Sequence, residues 1–247
     1  MMSAKVRYFS QKNENIERKL LLLHHKQTLF IKKQMNMIRT FLWGLLGMTL
    51  MTACMAPSAE SSKTSTNDAD AVERVIMARR SIRQYTDRTI SRDTLQRILT
   101  CGVNAPNGQN RQAYELRIID NPQLLQEISD AVASDTEVRM RRGASTIFAG
   151  APCVIFIARD TTYDISAIDC GLLGENIILQ AWAMGIGTCC MAAPTRMMLQ
   201  SKACAPYLQR MGFSADYELL YCIVMGYAAE SPEAKPRKYD EKIHFVE

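Results

Sequence analysis

Histidine is nearly absent from this sequence: of three in 247 residues, His24 and His25 lie near the N-terminus and His244 lies three residues from the end. A Ser-His-Asp hydrolase, a Cys-His protease or a multi-histidine metal centre needs more than that. Cysteine is present, but none of the eight (Cys54, Cys101, Cys153, Cys170, Cys189, Cys190, Cys204, Cys222) belongs to a C-x-x-C pair. Most lie in apolar runs, where a free cysteine behaves as a small buried hydrophobe, so no metal site is expected. No G-x-G-x-x-G follows a strand pattern and there is no Walker sequence, which excludes a Rossmann cofactor site and a P-loop. An excess of cations over the working domain is also lacking. The formal charge is +5, but residues 1–54 hold nine Lys or Arg against two Glu, a net +7, leaving 21 basic and 23 acidic residues, a net −2, in 55–247. The basic character belongs to the N-terminal stretch, and a nucleic-acid-binding module is excluded. With 47% apolar and 22% charged residues the chain can bury a sizeable core.

The N-terminal stretch has its own grammar. Arg39 precedes an apolar run from Phe41 to Met51, and small residues follow before Cys54. The run is too short to span a bilayer and has the form of a signal peptide. Leu50-Met51-Thr52-Ala53-Cys54 resembles a bacterial lipobox, whose cysteine is lipidated and becomes the mature first residue. This implies a lipid-anchored protein of the cell envelope. The alternatives are an ordinary signal peptide cleaved nearby or, if the leader has another role, a cytoplasmic protein. The expected order is therefore an upstream extension over 1–34, with Met35 or Met37 as a normal start, a signal peptide over 35–54, a Ser/Thr-rich tether over 55–70, and a globular domain over 71–247.

Within that domain, Asp70-x-x-Glu73 has the form of a capping box before a short amphipathic helix. Ser91 is placed to cap a second helix, with Ile90 and Leu95 as its hydrophobic staple. Tyr114 to Ile119 alternates as a strand, and Asn121-Pro122 opens a helix carrying Leu124, Leu125, Ile128 and Val132. Val154 to Ala158 reads as a strand buried on both faces. Ile168 to Met184 is apolar nearly all round at helical length, so its sides must be covered by its own subunit or a partner. An extended piece over Thr188 to Ala193, a helix from Pro194 and a strand over Leu219 to Met225 complete the order. Strands and helices without regular alternation argue for an α+β fold.

Three polar clusters could carry chemistry: Arg79-Arg80-Ser81-x-Arg83, Asn110-Arg111-Gln112, and Lys235-Pro236-Arg237-Lys238. Closely spaced guanidiniums beside a hydroxyl suit a phosphate, and an amide offers a donor and an acceptor to a heterocycle edge. Together with their order, the segments ARRSIRQY, APNGQNRQAYEL, IDCGLLGENIILQAWAMGIGTC and VMGYAAESPEAKPRK resemble the FMN-dependent nitroreductase family across about 71–240. The resemblance implies an α-β-α sandwich with a central, mostly antiparallel sheet in an intertwined homodimer, with FMN at the subunit interface.

Carried over motif by motif, Arg79, Arg80, Ser81, Lys235 and Arg237 would hold the FMN phosphate and ribityl chain. Arg83 would lie against the pyrimidine side of the ring, where a fixed cation favours the reduced anion. Asn110 would bond the ring edge, with Gln112 beside it, and Cys190, Met191 and Ala192 would line the flavin. Where many relatives have an aromatic residue and glycines, this chain has Cys190, Ala192 and Ala193, so the resemblance does not predict its second-substrate pocket. The implied activity is ping-pong transfer of two electrons from NAD(P)H or another donor, through FMN, to a nitro, quinone or similar small acceptor. The chemistry would belong to the flavin, and no catalytic residue is expected of the protein. A non-catalytic flavin-binding or interaction protein is the alternative, as is a specialised flavin enzyme for reductive dehalogenation or heterocycle oxidation.

Overall fold

The computed structural model describes residues 67–138 and 146–246. The upstream extension, the signal peptide and Cys54 lie outside the described residues.

The first helix, α1, spans Asp68–Ala78, and its cap is Asn67, whose side chain accepts from the Ala69 N–H at 3.3 Å. The expected cap at Asp70 is therefore corrected: Asp70 lies in the first turn beside Asp68, where a carboxylate favours the positive end of the helix dipole. The helix also reaches into the stretch read as a tether. No residue of α1 is buried. Ser91 does cap α2 (Arg92–Val103), accepting from Thr94 N at 3.2 Å, and Ile90 and Leu95 are both buried, as a hydrophobic staple requires. A short 3-10 turn over Gly108–Asn110 leads into β1 (Tyr114–Ile119), with the bounds the alternation indicates. Asn121 caps α3 (Pro122–Ser134), and Pro122 sits in the first turn, where its missing N–H costs nothing.

Strand β2 (Cys153–Asp160), helix α4 (Ser166–Ala183), strand β3 (Gly187–Met191), helix α5 (Ala193–Gln200), helix α6 (Ala205–Met211), strand β4 (Tyr217–Gly226) and a last turn α7 (Tyr239–Lys242) follow. The extended piece thus stops at Met191, because Ala193 already belongs to the helix that Pro194 opens.

The four strands form one sheet in the order β1-β2-β4-β3, every neighbouring pair antiparallel. Its central strands explain their composition. Along β2, Val154 and Phe156 pack with Leu125, Ile128, Val132, Met198 and Cys222 on one face. Ile155 and Ile157 pack with Ile98, Leu173, Ile177 and Ile223 on the other. Alternate side chains of a strand point to opposite faces, so a strand with helices on both sides must be apolar at every position. Each such side chain contributes about 1.5–3 kcal/mol on full burial. Helices α3 and α5 cover one face and α2 and α4 the other, giving an α-β-α sandwich.

Helix α4 buries Cys170, Leu173, Gly174, Ile177, Ile178 and Ala181. Its other side leaves Ile168 61% and Leu172 41% exposed, and α1 exposes Val72, Ile76 and Met77.

Candidate active site

The polypeptide after α1 crosses the edge of the sheet. Ser81 forms a parallel bridge with Thr188 of β3, and Ile82 N donates to Thr188 O at 2.9 Å. Two residues on, the pairing passes to the chain that leaves β4: Ala229 N donates to Gln84 O and Thr86 N to Tyr227 O, each at 2.9 Å. This crossing needs glycine beneath it. A Cβ on Gly187 would lie 2.8 Å from Ile82, and one on Gly226 would lie 2.8 Å from Tyr85 and 2.7 Å from Pro152. Since Gly187 and Gly226 pair directly across β3 and β4, one glycine pair accommodates the whole crossing.

The crossing brings the two basic motifs together, although they are about 150 positions apart in the sequence. Arg79, Arg80, Ser81, Arg83, Lys235 and Arg237 line one cavity of about 540 Å³, within the usual range for small-molecule sites. Glu175 of α4 and Glu233 also reach its wall, so five cations face two carboxylates. In a domain whose net charge is negative, this cavity concentrates positive potential.

The cations are not equivalent. Arg80 Nη1 donates to Met77 O at 2.7 Å and to Arg79 O at 2.9 Å, closing the C-terminal end of α1. Arg237 Nη1 donates to Lys235 O and Arg83 Nη1 to Ser81 O, both at 3.3 Å. The side chains of Arg79 and Lys235 make no hydrogen bond or ion pair among the described residues, which leaves their charged groups to the cavity. Glu230 accepts from the backbone N–H of Arg83.

The profile of the nitroreductase family matches residues 76–227. The chain belongs to the nitroreductase family. A solved nitroreductase with bound FMN from Desulfitobacterium hafniense is 26% identical, with a TM-score of 0.64, and the match covers 71% of this chain and 98% of that one. A nitroreductase with bound FMN from Bacteroides fragilis is 25% identical, with a TM-score of 0.61 and coverage of 71% and 98%. An Archaeoglobus fulgidus protein, provisionally named an NADH dehydrogenase/NAD(P)H nitroreductase, is 30% identical over 115 residues, 47% of this chain and 63% of that relative. The match thus spans under two thirds of that relative's length.

Against this nitroreductase fold the expected site residues divide into three groups. The six from the two basic motifs share the cavity. Cys190, Met191 and Ala192 lie at the end of β3 and the turn into α5, outside its lining. Of the three, Cys190 is within electrostatic reach of Glu175 on the cavity wall: its thiol, though the side chain meets solvent, is raised by burial, then by Cys189 and the Glu175 carboxylate. Asn110 is not brought to the cavity. It is exposed on the loop held against the start of α4, where Asp169 Oδ1 accepts from Gly108 N at 3.0 Å and Asn107 Oδ1 from Gln112 N at 2.9 Å. Gln109, Asn110 and Gln112 all adopt positive φ, at 55°, 54° and 50°, so the loop is strained and held in a defined shape. Asp169 is buried, and its second carboxylate oxygen lacks a partner among the described residues.

The cysteines buried around the sheet are unsuited to nucleophilic work. Burial pushes the Cys153 and Cys170 thiols up to about 12 and raises Cys222, while Cys189, also raised by burial, is partly opposed by the charge of Arg83. Cys189 is buried and its neighbour Cys190 exposed, as successive residues of a strand on opposite faces, and neither is disulfide-bonded.

Sequence reasoning missed Glu175, Glu230 and Glu233 as site residues. Glu175 had a readable signal, since it is a charged residue in the middle of a largely apolar helix.

Proposed function

We propose that the protein is an FMN-dependent oxidoreductase that passes two electrons from NAD(P)H, or another donor, to a small nitro, quinone or similar acceptor in a ping-pong cycle. The observation that carries this reading is the cavity in which residues 79–83 meet residues 235–237. The residues present fit the group: a phosphate dianion matches Arg79, Arg80, Ser81, Lys235 and Arg237, of which Arg79 and Lys235 are otherwise uncommitted. The FMN in the Desulfitobacterium and Bacteroides proteins and the NAD(P)H named for the Archaeoglobus relative support the same assignment. When bound, the flavin supplies the hydride chemistry. The chain's residues bind and orient: the cations fix the phosphate, Arg83 sets a positive charge on the cavity wall, and Cys190, Met191 and Ala192, at the end of β3, would line the ring.

The active unit in this reading is a homodimer. Helix α1 buries nothing of its own, and Ile168 and Leu172 of α4 stand exposed, so a second copy is the cover these faces need. The Asn110 loop lies away from its own cavity and would then serve the ring edge in the partner's site. Purified protein should be yellow and should bleach anaerobically with NADH or NADPH. A yellow protein that dithionite reduces and neither nicotinamide reduces would favour a non-catalytic flavin-binding protein or a different electron donor.

The proposed address is the cell envelope, through lipid on Cys54. A single acyl chain anchors only marginally, so retention would depend on the several chains carried by a lipoprotein's first cysteine. Among the described residues no helix is long and apolar enough to cross a membrane. Fractionation should place the chain with membranes, and Cys54→Ser should block processing. Soluble protein with Met1 intact would make the protein cytoplasmic and favour NAD(P)H over another donor.

A further inference from the structure

Arg83 sits at a gap in the backbone ladder. Ile82 donates its N–H to Thr188 of β3, while from Gln84 onward the segment pairs with Tyr227 to Ala229. Between these partners the N–H of Arg83 meets no backbone acceptor, and the carboxylate of Glu230 takes it from 147 positions away. Glu230 is half-buried, just beyond Ala229, where the chain turns from the ladder toward Lys235 and Arg237. Its carboxylate forms no ion pair with the Arg83 guanidinium, which stays on the cavity wall.

We propose that Glu230 is a positioning residue for the flavin site: by accepting the Arg83 N–H it fixes where the segment changes partners, and so aims the Arg83 side chain and starts the C-terminal strap in register with the arginine motif. The inference rests on the proposed flavin site. It assigns the role to the hydrogen bond and not to the charge. A carboxylate at the margin of a cationic site can only weaken the pull on an anion, so its value must lie in geometry.

Two conservative variants separate bond from charge. Glu230→Gln keeps an acceptor oxygen at the same reach and loses the charge. Glu230→Asp keeps the charge and withdraws it by one methylene. Dissociation constants for FMN and riboflavin, the flavin midpoint potential and the thermal midpoint are measured for each, with Arg83→Ala as reference. Losing a bond to a charged acceptor should weaken FMN binding roughly tenfold in Glu230→Asp and lower its potential toward that of Arg83→Ala. Glu230→Gln should stay within about twofold of the native affinity, and adding Glu230→Asp to Arg83→Ala should produce less than the sum of the two losses.

The reverse order, with Asp native-like and Gln impaired, would overturn the proposal, as would equal native behaviour of both variants. A native chain that binds FMN and riboflavin equally would instead sink the phosphate site on which the proposal stands.

Discussion

Leu172→Arg should abolish the flavin-loaded dimer. Leu172 is 41% exposed on α4 and lies one helical turn from Ile168, 61% exposed, on the side of the helix that the sheet does not cover. Within one protomer an arginine there meets solvent, so the fold can accommodate it. At a subunit interface it would be a buried charge with no partner, a change that costs several kcal/mol. Two-fold symmetry would present the defect from both subunits. Sedimentation should therefore show a monomer or unfolded chain without flavin absorbance, where the native protein should sediment as a yellow dimer. A native chain that is a stable, flavin-loaded monomer would refute the interface, as would a Leu172→Arg variant that keeps its dimer and colour.

Arg79→Ala should weaken FMN binding about 10- to 150-fold, the equivalent of about 1.5–3 kcal/mol for one charge-assisted contact, and leave riboflavin binding nearly unchanged. Arg79 closes α1 through its backbone, donating its N–H to Val75 O at 3.1 Å, and alanine keeps that bond. Its guanidinium contributes no other bond among the described residues, so the thermal midpoint should barely move. Arg80→Ala is the instructive contrast. It would also remove the bonds to Met77 O and Arg79 O, and should cost stability as well as affinity. Equal weakening of FMN and riboflavin by Arg79→Ala would place the residue away from the phosphate.

Local signals were readable wherever the physics is local. Ser91 with its staple, Asn121 before Pro122, and the alternation of Tyr114 to Ile119 each act within a few residues, and each stands in the structure as the sequence indicates. The cap of α1 was misplaced for a related reason: Asn67, Asp68 and Asp70 are all competent near a helix start, and composition alone does not choose among them. The centre of β2, Val154 to Ala158, was legible because burial on both faces leaves an unbroken apolar run, while Arg159 and Asp160, which end the strand, carry no such signal.

What the sequence concealed depends on distant pairing. Nothing local marks Glu230 as the partner of Arg83, because the gap it fills exists only once the segment has left Thr188 for Tyr227. Nor does the sequence tell that Asn110 and the arginine motif lie apart within one chain. The loop's anchor is Asp169, some sixty positions later, and its strained backbone is sustained by that contact. The meeting of residues 79–83 with 235–237 was reached from the sequence only through resemblance to a family; the structure supplies its physical cause in the crossing over Gly187 and Gly226.

The central claim is that this cation-lined cavity recognises the phosphate of FMN, and the direct measurement is titration of the flavin-free native protein with FMN and with riboflavin, which differ only by that phosphate. Several charge-assisted contacts acting together should make FMN bind at least about a hundredfold more tightly. Equal affinities would contradict the account.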